Sequence, residues 1–116
     1  MATDQFAERF TAVKQRFAAK LDARIGELEA GIPALESGDT MELLAALHRR
    51  AHDLCGIGPT VGFFATGQAA RAIEQLLLTA LKAGRTLTHD EIELLRTRLV
   101  ALRAAANAEV GSAGGE

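Results

Sequence analysis

Apolar residues recur every three or four positions in four separate stretches of this chain, and glycine or proline stands between the stretches. That period is the α-helix's own, so each stretch hides one side and wets the other. Composition agrees: Ala, Leu, Glu and Arg dominate, Val and Ile are sparse, and Trp and Tyr are missing. Unbranched side chains keep their rotamer freedom on a helix, so strands are not expected. The first helix can be capped by Thr3, carries Phe6, Phe10, Val13, Phe17, Leu21, Ile25 and Leu28 on one side, and is expected to stop near Gly31-Ile32-Pro33. A second starts at Gly38-Asp39-Thr40, with Asp39 and Glu42 at capping-box spacing, and buries Leu43, Leu44, Leu47, Ala51 and Leu54. Gly58-Pro59 should end it, because proline supplies no N–H and disfavours a helical residue before it.

After a turn through Gly62, the third helix is expected from about Phe63 to Ala83, with Ala69, Ala70, Ile73, Leu76, Leu77 and Ala80 inward and Gly84 as its left-handed terminator. Thr88 and Glu91 form a T-x-x-E capping box for the fourth, which carries Ile92, Leu95, Leu99, Leu102 and Ala106 and runs to about Glu109. Four stripes of similar length on short connections can hide together by packing as an all-α, up-and-down antiparallel four-helix bundle. One domain over 1–110 is expected, with 111–116 as a short mobile C-terminal tail.

Several function classes fall away on simple grounds. A single cysteine makes no internal disulfide, and the start of the chain lacks a basic segment followed by an apolar run, so a cytoplasmic protein is expected. No apolar run approaches the roughly 20 residues that cross a bilayer. A net charge of −2 gives no electrostatic footprint for nucleic acid. Neither a membrane nor a nucleic acid is therefore an expected partner, and a monomer is the simplest assembly.

Chemistry concentrates on the second helix, in Leu47-His48-Arg49-Arg50-Ala51-His52-Asp53-Leu54-Cys55-Gly56. At about 100° per residue, His52 points roughly 130° from the centre of the apolar stripe, toward water, while His48 and Cys55 lie about 90° and 70° off, on the flanks. Gly56 is informative. A mid-helix glycine costs roughly 0.5–1 kcal/mol relative to alanine, and one turn from an exposed imidazole it leaves clearance for something to approach. A neutral imidazole keeps a free ring nitrogen that can attack phosphorus.

The run from Leu47 to Leu77, with H-D-L-C-G at 52–56, Gly62-Phe63 and Ala69-Ala70-Arg71-Ala72-Ile73-Glu74-Gln75-Leu76, resembles the histidine-containing phosphotransfer (HPt) domain of bacterial multistep phosphorelays. The family pattern is approximately H-x-L-K-G-S, then a second glycine ten residues after the histidine, then a helix bearing a leucine-glutamate pair. His52, Leu54, Gly56, Gly62 and Glu74 match it; Ile73 stands in for the leucine, Cys55 replaces the usual lysine, and Ile57 occupies a position where a small residue is common. The resemblance implies a phosphoryl carrier without its own kinase ATP site, with His52 as phosphoacceptor between the aspartates of response-regulator receiver domains, downstream of a hybrid histidine kinase. It implies no cofactor on this chain, since the receiver supplies Mg²⁺ and a lysine. Glu74 then orients the imidazole through Nδ1–H, Gly56 gives clearance, and Arg49, with Arg50 or Arg71, screens the phosphate in the lysine's place. His48, Phe64, Gln68 and Arg71 are the expected partner-binding residues.

Plainer roles stand beside these. Phe64 could fold back beneath the 58–62 loop, Gly67 could simply let two helices approach, and Cys55 reads as a small half-buried hydrophobe. Two other functions fit the same residues: a metal site on His48, His52 and Cys55, three ligand types on neighbouring turns, and a helical adaptor that carries no phosphate.

Overall fold

The computed structural model describes residues 2–38 and 41–114. Four helices follow one another, α1 (Ala2–Glu36), α2 (Met41–Thr60), α3 (Phe64–Lys82) and α4 (His89–Gly114), and no strand occurs among the described residues. Each helix packs on the next, and α4 returns to α1, while the diagonal pairs α1/α3 and α2/α4 do not meet. This is the expected up-and-down bundle. Its core gathers most of the predicted stripes, with Leu21, Ile25, Leu44, Leu47, Leu54, Ile73, Leu77, Leu95 and Leu102 fully enclosed, while Leu43 and Ala69 are only partly buried at its edge.

The helix ends depart from expectation in instructive ways. α1 runs through Gly31 and Pro33 to Glu36, because Ile32 and Leu35 are buried and their packing outweighs a proline confined to the last turn. Gly31 marks a close approach instead of a stop: a Cβ there would stand 2.8 Å from both terminal carbons of Leu47 on α2. Similarly α2 passes Gly58-Pro59 and ends at Thr60. α1 begins at Ala2, so Thr3 lies within the helix and does not precede it; its side chain, like Asp39 and Thr40 of the expected second cap, is outside the described residues. α4 extends past Glu109 to Gly114.

The apolar stripe of α1 is buried only from Phe17 onward. At 1.5 Å per residue its 35 residues span about 52 Å, against about 30 Å for the 20 of α2. The first turns of α1 therefore overhang, leaving Phe6, Phe10 and Val13 exposed. The overhang accounts for an accessible surface of 6886 Å² where a compact chain of this mass shows roughly 6,000 Å².

The capping box of α4 forms as expected. The Glu91 N–H donates to Thr88 Oγ1, and the Thr88 N–H donates to Glu91 Oε1 at 2.9 Å, while Arg85 grips the same carboxylate at 2.7 Å. Arg85 first, and then the Thr88 N–H, hold the Glu91 carboxyl down at about 2 against an ordinary value of 4.5. A carboxyl depressed by folding stabilises the native state fully above its unfolded value and loses that contribution as pH falls through the folded one. Urea midpoints should therefore decline between pH 4.5 and about 2, and the Glu91→Gln variant should show a shallower decline over that window.

The start of α3 is capped from afar. Phe63 stands at its N-terminus and offers no side-chain acceptor. Glu109 on α4 fills the role: Oε2 accepts from the Ala65 N–H at 3.0 Å, and Oε1 from the Thr66 N–H at 2.7 Å and the Thr66 hydroxyl at 2.6 Å. A carboxylate at a helix N-terminus is favoured both by the orphan N–H groups and by the dipole. It also satisfies the fully buried Thr66.

Candidate functional site

The α2–α3 hairpin sets the site. Gly62 takes φ +88°, a left-handed turn that brings Phe63 into the core against the edge of Phe17, ring centroids 5.1 Å apart. Two other glycines let the helices close on each other. A Cβ at Gly58 would meet the Phe63 carbonyl oxygen at 3.1 Å, and one at Gly67 would stand 2.7 Å from the Pro59 ring. Gly67 thus has the close-approach role among those read from sequence. With the hairpin pinned at this end, the antiparallel run places Glu74 of α3 across from His52 of α2.

His52 is 65 % exposed, while Glu74 is mostly covered at 17 %. The imidazole donates from Nδ1 to Glu74 Oε2. This fixes the tautomer: with the proton on Nδ1, the lone pair sits on Nε2. Gly56 completes the clearance, for beyond its own helix no atom lies within 4 Å of where a Cβ would stand. The arrangement presents an oriented ring nitrogen on an open helix face, which suits nucleophilic attack on an electrophile carried by another molecule.

The remaining candidates sort by position. His48 is half-buried, one turn before His52 and stacked alongside it with ring centroids 6.2 Å apart. Cys55 is half-buried, and its thiol is pushed up, first by burial and then by the Glu74 carboxylate, with Arg71 opposing. A thiol so held is protonated at neutral pH and a poor nucleophile. Arg49, Gln68 and Arg71 are exposed, and Arg49 makes no ion pair among the described residues. Arg50 instead leans the other way, 4.0 Å from Glu27 of α1. Phe64 is 64 % exposed and does not fold beneath the loop. Among the described residues no group of three or more His, Cys, Asp or Glu side chains is placed to hold a metal ion, and the His48–His52–Cys55 metal site gains no support. No described helix is long and apolar enough to cross a membrane.

Two features of the site escape a reading of the sequence. One is the Glu109 cap of α3, which spans 43 residues and carries no local signal. The other is the encounter of His48 with Glu74, whose Oε2 lies 3.8 Å from His48 Nε2; the flank position of His48 could have indicated it.

No curated protein and no solved structure matches the chain. A family model for the Hpt domain matches residues 12–105, a span that takes in His52, Gly56, Glu74 and the hairpin that joins them, and the chain belongs to the Hpt domain family.

Proposed function

We propose that this chain is a phosphoryl carrier of the kind Hpt domains are in phosphorelays, where they meet receiver domains and kinases without being kinases themselves, and that His52 is its phosphoacceptor, taking the group from the aspartyl phosphate of one response-regulator receiver and handing it to the aspartate of another. The observation that carries this reading is the exposed His52 ring, oriented at Nδ1 by Glu74 and opening over Gly56.

In the transfer, the Nε2 lone pair forms the N–P bond as the P–O bond to the receiver aspartate breaks, and that aspartate leaves as a carboxylate. The Nδ1 proton stays on His52, facing Glu74 Oε2, which stabilises the positive charge that develops on the ring. In-line alignment and neutralised charge do most of the work in phosphoryl transfer. Mg²⁺ and a lysine on the receiver serve the charge, so this chain brings a positioned nucleophile and a docking face, with Phe64, Gln68 and Arg71 on α3 as contacts. With Cys55 where the family usually has lysine, Arg49, the cation nearest His52 in sequence that makes no ion pair among the described residues, screens the phosphorylated ring. The hybrid kinase upstream, the bacterial setting and the cytoplasmic location follow from the same reading.

Incubating the protein with receiver domains phosphorylated on aspartate tests it. Label should move to this chain and be lost in acid but kept in alkali, as a phosphoramidate behaves. Binding without labelling would instead identify a helical adaptor.

A further inference from the structure

Two unmet needs face each other behind the His52 ring. Glu74 is mostly covered, and a carboxylate taken out of water needs donors for its oxygens. The His52 Nδ1–H supplies one. His48 Nε2 is buried, has no hydrogen-bond partner among the described residues, and stands 3.8 Å from the same Oε2. That is about 1 Å beyond an ordinary N–H···O bond, a gap that a small rotation of the carboxylate closes. A carboxylate facing the nitrogen favours the tautomer with its proton on Nε2, because two lone pairs would repel.

We propose that His48 is a positioning residue for the transfer: its Nε2–H holds the Glu74 carboxylate against α2, and Glu74 in turn holds His52 with Nε2 bare. The carboxylate has somewhere else to go. Arg71 lies one turn earlier on the exposed side of α3, so an outward turn of Glu74 would pair the two in water, yet no such ion pair forms among the described residues. His52 alone is a weak restraint, since its ring is mostly exposed and can follow the carboxylate outward. The Cys55 thiol leans on Glu74 as well, but S–H is a weak donor. His48 supplies a stronger and shielded donor one turn from His52, with the ring planes 19° apart, so both imidazoles address the one oxygen. Without it, Glu74 divides between the inward and outward positions. His52 then divides between its tautomers, and the form protonated at Nε2 has no lone pair there to attack phosphorus.

This inference rests on His52 being the phosphoacceptor, and its test keeps the two claims apart. Ring-nitrogen NMR of the unphosphorylated protein at about pH 9, above the reference imidazole value of about 6.5, reads the His52 tautomer directly. The wild type should show Nε2 bare and the proton on Nδ1. His48→Leu, with His48→Phe as a ring-keeping variant should leucine disturb the fold, should move His52 toward the Nε2-protonated form. Single-turnover transfer should slow about tenfold at saturating receiver, with the half-saturating concentration unchanged. His48→Gln retains an N–H donor and should return both readouts to within about twofold of the wild type. In Glu74→Ala, adding His48→Leu should slow transfer no further, since His48 acts through the carboxylate. An unchanged tautomer in His48→Leu and His48→Phe, a raised half-saturating concentration in place of a slower step, no rescue by His48→Gln, or a further loss on top of Glu74→Ala would each overturn the proposal. If His52 is not the acceptor, no label reaches it even in the wild type while its tautomer still answers to His48, so the two failures look different.

Discussion

His52→Gln should accept no phosphate from a phosphorylated receiver and yet unfold within about 2 °C of the wild type. The first half follows from the shortage of alternatives on that face. His48 turns its Nε2 inward to a buried position, and the Cys55 thiol is held protonated by burial and by Glu74. His89 begins α4 on another edge of the bundle. The second half follows from exposure: a side chain 65 % open to water contributes little packing, and substitutions at such positions usually change stability by no more than about 0.5 kcal/mol. Glutamine can also donate its amide N–H to Glu74, so the carboxylate is not stranded. Labelling before and after the substitution, with a thermal melt of each sample, checks both halves.

A leucine at Gly56 and a leucine at Gly67 should have opposite effects, although both glycines lie within helices of one hairpin. At Gly56 the space is open, so the helix gains about 0.5–1 kcal/mol from better propensity. The added side chain stands one turn from His52, where the receiver must bring its aspartyl phosphate into line. Transfer should slow by at least about tenfold, since small misplacements of reacting groups carry large rate costs. At Gly67 even a Cβ would sit 2.7 Å from two carbons of the Pro59 ring, which cannot turn aside as a flexible chain end can. Overpacking of this kind costs about 1–3 kcal/mol or more, on the order of 5–15 °C in Tm. Transfer by the surviving folded protein should be close to normal, because Gly67 faces α2 and not solvent. Melting curves together with single-turnover transfer rates separate the two. A Gly56→Leu protein that transfers at the native rate would refute the clearance role.

Much of this was legible in the residues because it depends on local rules. The stripes of α2, α3 and α4 face the core as their spacing demands. Thr88 and Glu91 cap α4 because a capping box is a four-residue device. The direction of His52, the half-buried flank position of His48 and the open side at Gly56 come from helical arithmetic alone. What sequence could not supply depends on contacts between distant residues. Pro33 and Pro59 were poor stop signals, since burial of Ile32 and Leu35 holds the last turn of α1, and the close packing of Gly58 and Gly67 holds that of α2. Phe6, Phe10 and Val13 have the spacing of core residues but stay exposed. Glu109 caps α3 through N–H groups 43 and 44 residues earlier, a relation that no local pattern encodes.

The central claim is that Nε2 of His52, with Nδ1 tied to Glu74, receives the phosphoryl group. Phosphorylating ¹⁵N-histidine-labelled protein and recording nitrogen–phosphorus couplings measures this directly. The account predicts one phosphorus, bonded to Nε2 of His52, with the Nδ1 proton still present. Phosphorus on Nδ1 of that ring, on His48 or His89, or on a residue other than histidine would contradict it.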